Sequence, residues 1–196
     1  MARMKPLPAG SVPEVADALS AFKNRMGFHA NSLLTMQRRP NIVKALAALG
    51  DATVGEGTVD VGLKKMVGLM ASYAAGCLYC QAHQADGSQF MGVDEAKISA
   101  LFNYEKSALF TPAEKVALEF GLAGGSVPNG VTDELFLRLR EHWDESQIVE
   151  LLGVIGLFGF LNRWNDSMAT DLEEAPTASG NKFLAEQGWE SGKHGA

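Results

Sequence analysis

Helix start and stop signals recur along the whole chain, and they constrain it more than any other feature. Thr111-Pro112-Ala113-Glu114 is a capping box with proline at the first helical position. Ser11-x-x-Glu14, with Pro13 between, reads as another and opens a helix toward Met26 that Gly27 ends. A second helix runs from Pro40 and stops at Gly50; a third starts near Asp60 and carries VGLKKMVGLMASYAA. Gly76 interrupts it, a fourth spans about Cys77 to Met91, and DEAKISALF makes a short fifth. Thr132 caps DELFLRLREHW, and Asp144 or Ser146 starts a long helix through QIVELLGVIGLFGFLNRWNDSMA. No stretch alternates apolar and polar residues with a period of two. The expectation is an all-α helical bundle of about eight helices in a single domain, residues 1–196. Its core covers about residues 12–169. The polar segment 170–196 is a C-terminal tail that wraps the surface or stays mobile. Glycines 68, 153, 156 and 159 lie inside helices and imply close helix–helix approach.

Charge narrows the partners. The net charge is −6, with no dense run of Lys or Arg, which argues against nucleic acid or an anionic membrane as the main partner. The N-terminus lacks the apolar core of a signal peptide. The apolar run 151–161 falls short of the ~20 residues that span a bilayer. A cytoplasmic location is expected, and there a Cys-x-x-Cys pair is redox-active or metal-binding more often than a structural staple.

Such a pair is present: GCLYCQAH, residues 76–83, holds both cysteines and a histidine. On a helix Cys80 lies on the adjacent turn of the same face as Cys77, with Cβ atoms about 5–6 Å apart. A disulfide needs about 3.5–4.5 Å, so a modest adjustment after the loose backbone of Gly76 would close it. A helix N-terminus favours a thiolate. His83, three residues beyond Cys80 and six beyond Cys77, serves Cys80 more easily, making Cys80 the attacking sulfur and Cys77 the resolving one. Two other readings stay open: an inert buried pair on a small-residue helix, and a zinc site needing a further ligand such as His29 or His142. Met66, Met70 and Met91 read as core filler.

MASYAAGCLYCQAH resembles the core motif of the carboxymuconolactone decarboxylase and AhpD-like superfamily, and within it the peroxidase-related branch. MGFHANSLLTMQRRP, LFTPAEKVALEF and FGFLNRWNDSMATDLEE agree in order, so the resemblance spans about residues 20–175. It implies an AhpD-like helical fold that assembles into homo-oligomers, dimers to hexamers. In AhpD members it implies a hydroperoxidase in which the second cysteine, here Cys80, attacks the peroxide and the first, Cys77, resolves it. A histidine just after the motif and a glutamate about one helix upstream relay protons. The sequence departs from that pattern twice. The AhpD histidine commonly stands four residues after the second cysteine, where this chain has Gln84, with His83 one position earlier. The glutamate's place, twelve residues before Cys77, holds Lys65, and no Asp or Glu occurs from 61 to 85. His83 therefore acts alone or borrows a carboxylate from elsewhere. Asp166 in the Asn162–Asp166 run is one candidate, although Arg163 and Asp166 at i,i+3 also suit a helix ion pair. Lys64 and Lys65 could favour thiolate, against the expectation that adjacent helix lysines are solvated.

The sequence thus points to a thiol-dependent hydroperoxidase. Cys80, Cys77 and His83 are its catalytic candidates, and Lys65, Gln84 and Asp166 its supporting ones. It needs no bound cofactor, takes a hydroperoxide substrate and draws electrons from an external dithiol or protein reductant. Two alternatives stand beside it: a decarboxylase or isomerase of the same superfamily, and a non-catalytic redox sensor with a switching disulfide.

Overall fold

Asp60 opens the central helix of the molecule: its carboxylate accepts from the Leu63 N–H at 2.9 Å and caps α4 (Val61–Ala74). In this computed structural model, which describes residues 2–195, every residue of α4 from Gly62 to Ser72 is buried. A helix buried all round needs neighbours on every side, and three surround it: α5 (Leu78–Phe90), α7 (Pro112–Gly125) and α9 (Glu145–Met168). Small residues set the spacing. At Gly121 of α7 a Cβ would stand 2.8 Å from the Val67 carbonyl oxygen, so only glycine allows this approach.

Around this centre lie α1 (Ala16–Met26), α2 (Asn31–Met36), α3 (Pro40–Val54), α6 (Glu95–Ser99), α8 (Asp133–Arg140) and α10 (Glu174–Phe183). The described residues contain no strand, so the fold is all-α, as the sequence implied. The Thr111–Glu114 capping box forms with both of its bonds. Asp144, not Ser146, caps α9, in a second box with Gln147.

Four local expectations change. The Ser11–Glu14 box does not form: the Ser11 N–H is taken by Pro8 O in a turn, and a 3-10 turn from an uncapped Val12 leads into α1. α3 passes through Gly50 to Val54, because Gly50 faces open space and costs the helix only propensity. Lys64 and Lys65 are both buried rather than solvated. The Lys64 ammonium pairs with Glu150 and donates to Gly55 O at 2.7 Å, tying α4 to α9. The C-terminal segment does wrap the outside, but it also enters the core. Phe183, Leu184 and Trp189 join the main apolar cluster, and the Trp189 indole N–H donates to Leu78 O at 3.1 Å. Its polar composition hid a few apolar anchors at the end of α10, which docks on α5, and just beyond it.

α9 is longer than its apolar run. At 24 residues it could span a bilayer by length and composition alone. Here one face packs in the bundle while Val149, Leu152 and Phe160 lie exposed on the other.

Two glycines make opposite predictions. Gly121→Ala should lower stability in urea denaturation by about 1–3 kcal/mol, because backbone must move. Gly156→Ala, with nothing within 4 Å of the new methyl, should raise it by roughly 0.5–1 kcal/mol from helix propensity. A loss at Gly156 would mean that another chain covers this face.

Candidate active site

Gly76 takes the left-handed conformation, φ +71°, and turns the chain out of α4. The Cys77 N–H then bonds back to Ser72 O at 3.0 Å, and Cys77 becomes the N-cap of α5. Its Sγ accepts from the Cys80 N–H at 3.3 Å, satisfying one of the helix's unpaired amides. Both thiols are free and buried. Cys80 Sγ accepts a hydrogen bond from Asn165 Nδ2 at 3.4 Å. Asn165 is fixed in turn by the Thr170 hydroxyl, which donates to its Oδ1 at 2.9 Å.

The helix N-terminus does not win at Cys80. Burial pushes this thiol well above the ordinary range, the hydrogen bond and charge of Cys77 add to the rise, and only the Asn165 N–H opposes it. Cys80 therefore rests as a neutral thiol.

His83 has a carboxylate after all. Its Nε2 stands 2.6 Å from Glu173 Oε2, and no Asp or Glu of α4 or α5 is involved. Glu173 Oε1 accepts from the Tyr79 hydroxyl at 2.9 Å and the Asn31 N–H at 2.5 Å. Burial alone would raise the Glu173 pKa, but the charge and hydrogen bond of His83 and the Asn31 N–H outweigh it and hold it below its usual value. Burial, then the neighbouring Glu173 charge, keep the Tyr79 phenol protonated. The imidazole is sandwiched: Tyr79 stacks on it at 4.2 Å between centroids, and Phe28 meets it edge-on at 5.5 Å. Its Nδ1 has no protein hydrogen bond among the described residues.

These groups open on a cavity of about 470 Å³ between α1 and α3 on one side and α4, α5 and α9 on the other. Cys80, His83, Gln84, Lys65 and Asn165 line it; Cys77 lies behind Cys80 and does not. Most of the remaining wall is apolar, including Phe22, Leu46, Val54, Leu157 and Phe158. Gln84 Oε1 is buried without a partner beside Gly68, whose missing Cβ makes room for it and for the Phe158 ring. Lys65 is lowered to about 8, by burial first and by the Arg25 charge second, with Asp86 opposing.

Asp166 does not line the cavity, although its charge adds to the rise at Cys80. It pairs with Lys193 at 2.7 Å, and His194 Nε2 lies 3.9 Å away. The expected Arg163–Asp166 pair is replaced by an Arg163 bond to Gly159 O. No group of three or more His, Cys, Asp or Glu among the described residues could hold a metal ion. Sequence reasoning missed Glu173, Tyr79 and Asn165. Asn165 and Glu173 both lie in the fourth resembling block, FGFLNRWNDSMATDLEE, but a tail was read from residue 170 onward.

Comparison with known proteins agrees with this architecture. Residues 40–122 match the model of the carboxymuconolactone decarboxylase family. The Bacillus subtilis (strain 168) protein YdfG is 30% identical over 111 residues, 56% of this chain and 74% of that one. The debrominase Bmp8, solved as a cysteine-to-alanine variant in complex with 2,3,4-tribromopyrrole, is 28% identical with a TM-score of 0.87. That match covers 92% of this chain and 96% of Bmp8. A peroxidase-related protein with an alkylhydroperoxidase AhpD core, from Ralstonia eutropha JMP134, shares the fold at 20% identity and a TM-score of 0.75. It covers 88% of this chain and 94% of that one.

Two measurements check the electrostatics. Thiolate absorbance of a Cys77→Ser protein should titrate above the ordinary thiol value of about 8.5, since burial of Cys80 remains. Glu173 has a depressed pKa, so its stabilisation is present above the unfolded carboxylate value of about 4.3 and is lost as pH falls through the folded one. The thermal stability advantage over Glu173→Gln should therefore shrink below about pH 4.

Proposed function

We propose that this chain, which belongs to the carboxymuconolactone decarboxylase and AhpD-like superfamily, is a dithiol reductase acting on a small organic hydroperoxide enclosed in its cavity. One observation carries this reading: a buried Cys80 and a Glu173-held His83 line the same cavity, with Cys77 directly behind the attacking sulfur.

The chemistry follows from the roles. Substrate filling the cavity displaces water, and His83 Nδ1 takes the Cys80 proton. Glu173 on Nε2 fixes the ring and balances the imidazolium. The Asn165 N–H supports the sulfur as it gains charge. Cys80 attacks the outer peroxide oxygen, the O–O bond breaks, and His83 returns its proton to the departing alkoxide. Cys77 then attacks the Cys80 sulfenic acid, water leaves, and a Cys77–Cys80 disulfide remains. An external dithiol reduces it. In sum, ROOH and two thiols give ROH, water and one disulfide. Resting as a neutral thiol spares Cys80 from oxidants that do not fill the cavity.

A second substrate is favoured by the similarity to Bmp8. Here Cys80 takes bromine from a ring carbon, the carbon keeps the electron pair and takes a proton, and Cys77 expels bromide as the disulfide forms. R–Br and two thiols give R–H, bromide, a proton and a disulfide.

Dithiothreitol-driven turnover separates the two: cumene hydroperoxide is read as alcohol, a polybrominated phenol as released bromide. Cys80→Ser should abolish whichever activity exists, and Cys77→Ser should leave a single round. Glu173→Gln should slow the reaction by about 10²–10⁴. Full activity in Cys80→Ser would overturn the thiol mechanism.

A further inference from the structure

The structure assigns to Lys65 a binding role: its ammonium is the anchor for the negative group of a singly charged organic anion whose apolar body fills the cavity. This deepens the reading above by naming what kind of substrate the thiols meet.

The argument starts from two neighbouring lysines with unlike fates. Lys64 and Lys65 are consecutive on α4 and both buried, 1% and 9% exposed. Lys64 is fully answered: Glu150 and Gly55 O hold its ammonium. Lys65 lines the cavity, and no salt bridge or hydrogen bond reaches its ammonium among the described residues. A buried cation without a counter-charge is destabilising, so a fold that lacks a use for it does better with an apolar residue. Space is also kept for it. A Cβ at Gly87 of α5 would lie 3.3 Å from Lys65 Cδ and 3.6 Å from Nζ.

The surrounding charges leave the deficit in place. From α1 come Arg25 and Asp17, from α3 Asp51, and from α5 the Cys80 thiol, His83 and Asp86; α9 contributes no charged group to the cavity wall. Arg25 and Asp51 pair at 3.3 Å at the exposed rim, and Glu173 answers His83. Asp17 is exposed on α1. Asp86 is engaged by the Ser179 hydroxyl at 2.9 Å and forms no ion pair with Lys65. The cavity wall thus carries one buried ammonium with no ion pair and no hydrogen bond, with Asp86 acting on it only through space, and there a hydrogen-bonded anion is held strongly.

Size sets the rest of the ligand. A water molecule takes about 30 Å³ of liquid volume, so 470 Å³ leaves most of the space empty around hydrogen peroxide. An aromatic or branched aliphatic body would fill it against Phe158, Leu157 and Leu46. The anionic group is a carboxylate or an acidic ionised ring, and the two share one chemistry at the ammonium.

The test uses Cys80→Ser protein, so binding is read without thiol chemistry, by isothermal titration calorimetry. Benzoate and pentafluorophenolate represent the two sources of charge, and benzamide is the neutral control. At pH 7 at least one anion should bind about tenfold tighter than benzamide or better, and the stronger of the two identifies the source. Lys65→Met in the same background should erase that preference while retaining benzamide binding. A second readout keeps Lys65 in place: anion affinity should fall as pH rises through the Lys65 range near 8, with proton uptake on binding above it. Equal affinity for anion and neutral probe, no binding of any probe, or a preference untouched by Lys65→Met and by pH overturns the assignment. Anion binding without thiol turnover on any peroxide or halide would overturn the reductase reading alone.

Discussion

Helix α4 has no face to give to water, and the rest of the molecule follows from that. Gly68 of α4 lets the Phe158 ring of α9 come close, and Gly121 of α7 sits against the Val67 carbonyl of α4. The polar residues of α4 must each find an answer inside the protein. Ser72 returns its hydroxyl to Gly68 O, and Lys64 reaches across to α9. Where α4 ends, Gly76 turns the chain and Ser72 O takes the Cys77 amide, so α5 starts at a fixed height beside it. The dithiol is therefore placed directly after the buried stretch of α4, and Lys65 is the one buried polar side chain of α4 that lines the cavity without a protein partner.

The site divides its work between two surroundings. The sulfurs are buried, and burial opposes charge on Cys80, while the contacts of Glu173 with His83 and the Asn31 N–H favour its carboxylate form. A neutral thiol and a carboxylate-held histidine on one cavity wall are the arrangement from which the proposed chemistry would start.

Much of this was legible in the sequence. The Thr111 and Asp144 caps, the Gly27 stop and the break at Gly76 are local chemistry, and local chemistry is what a sequence shows directly. Cys77, Cys80 and His83 were legible because three functional groups share one helical turn and a half. Glu173 was not, because its contact with His83 joins residues 90 positions apart, and no spacing rule reports that. The buried lysines misled for a related reason: amphipathicity assigns charge to water, and only the tertiary partner of Lys64 and the cavity beside Lys65 override it. Residues 170–195 misled by average composition, which dilutes Phe183, Leu184 and Trp189 among polar neighbours.

That C-terminal wrap also orders events in time. A chain emerging from the ribosome presents Cys77, Cys80 and His83 long before Glu173, Trp189 and His194 have been made. Until the final segment docks, the histidine has no carboxylate partner and the dithiol helix lacks its outer cover. The order of synthesis therefore delays the His83–Glu173 contact until the segment that follows α9 has been made and has docked on α5.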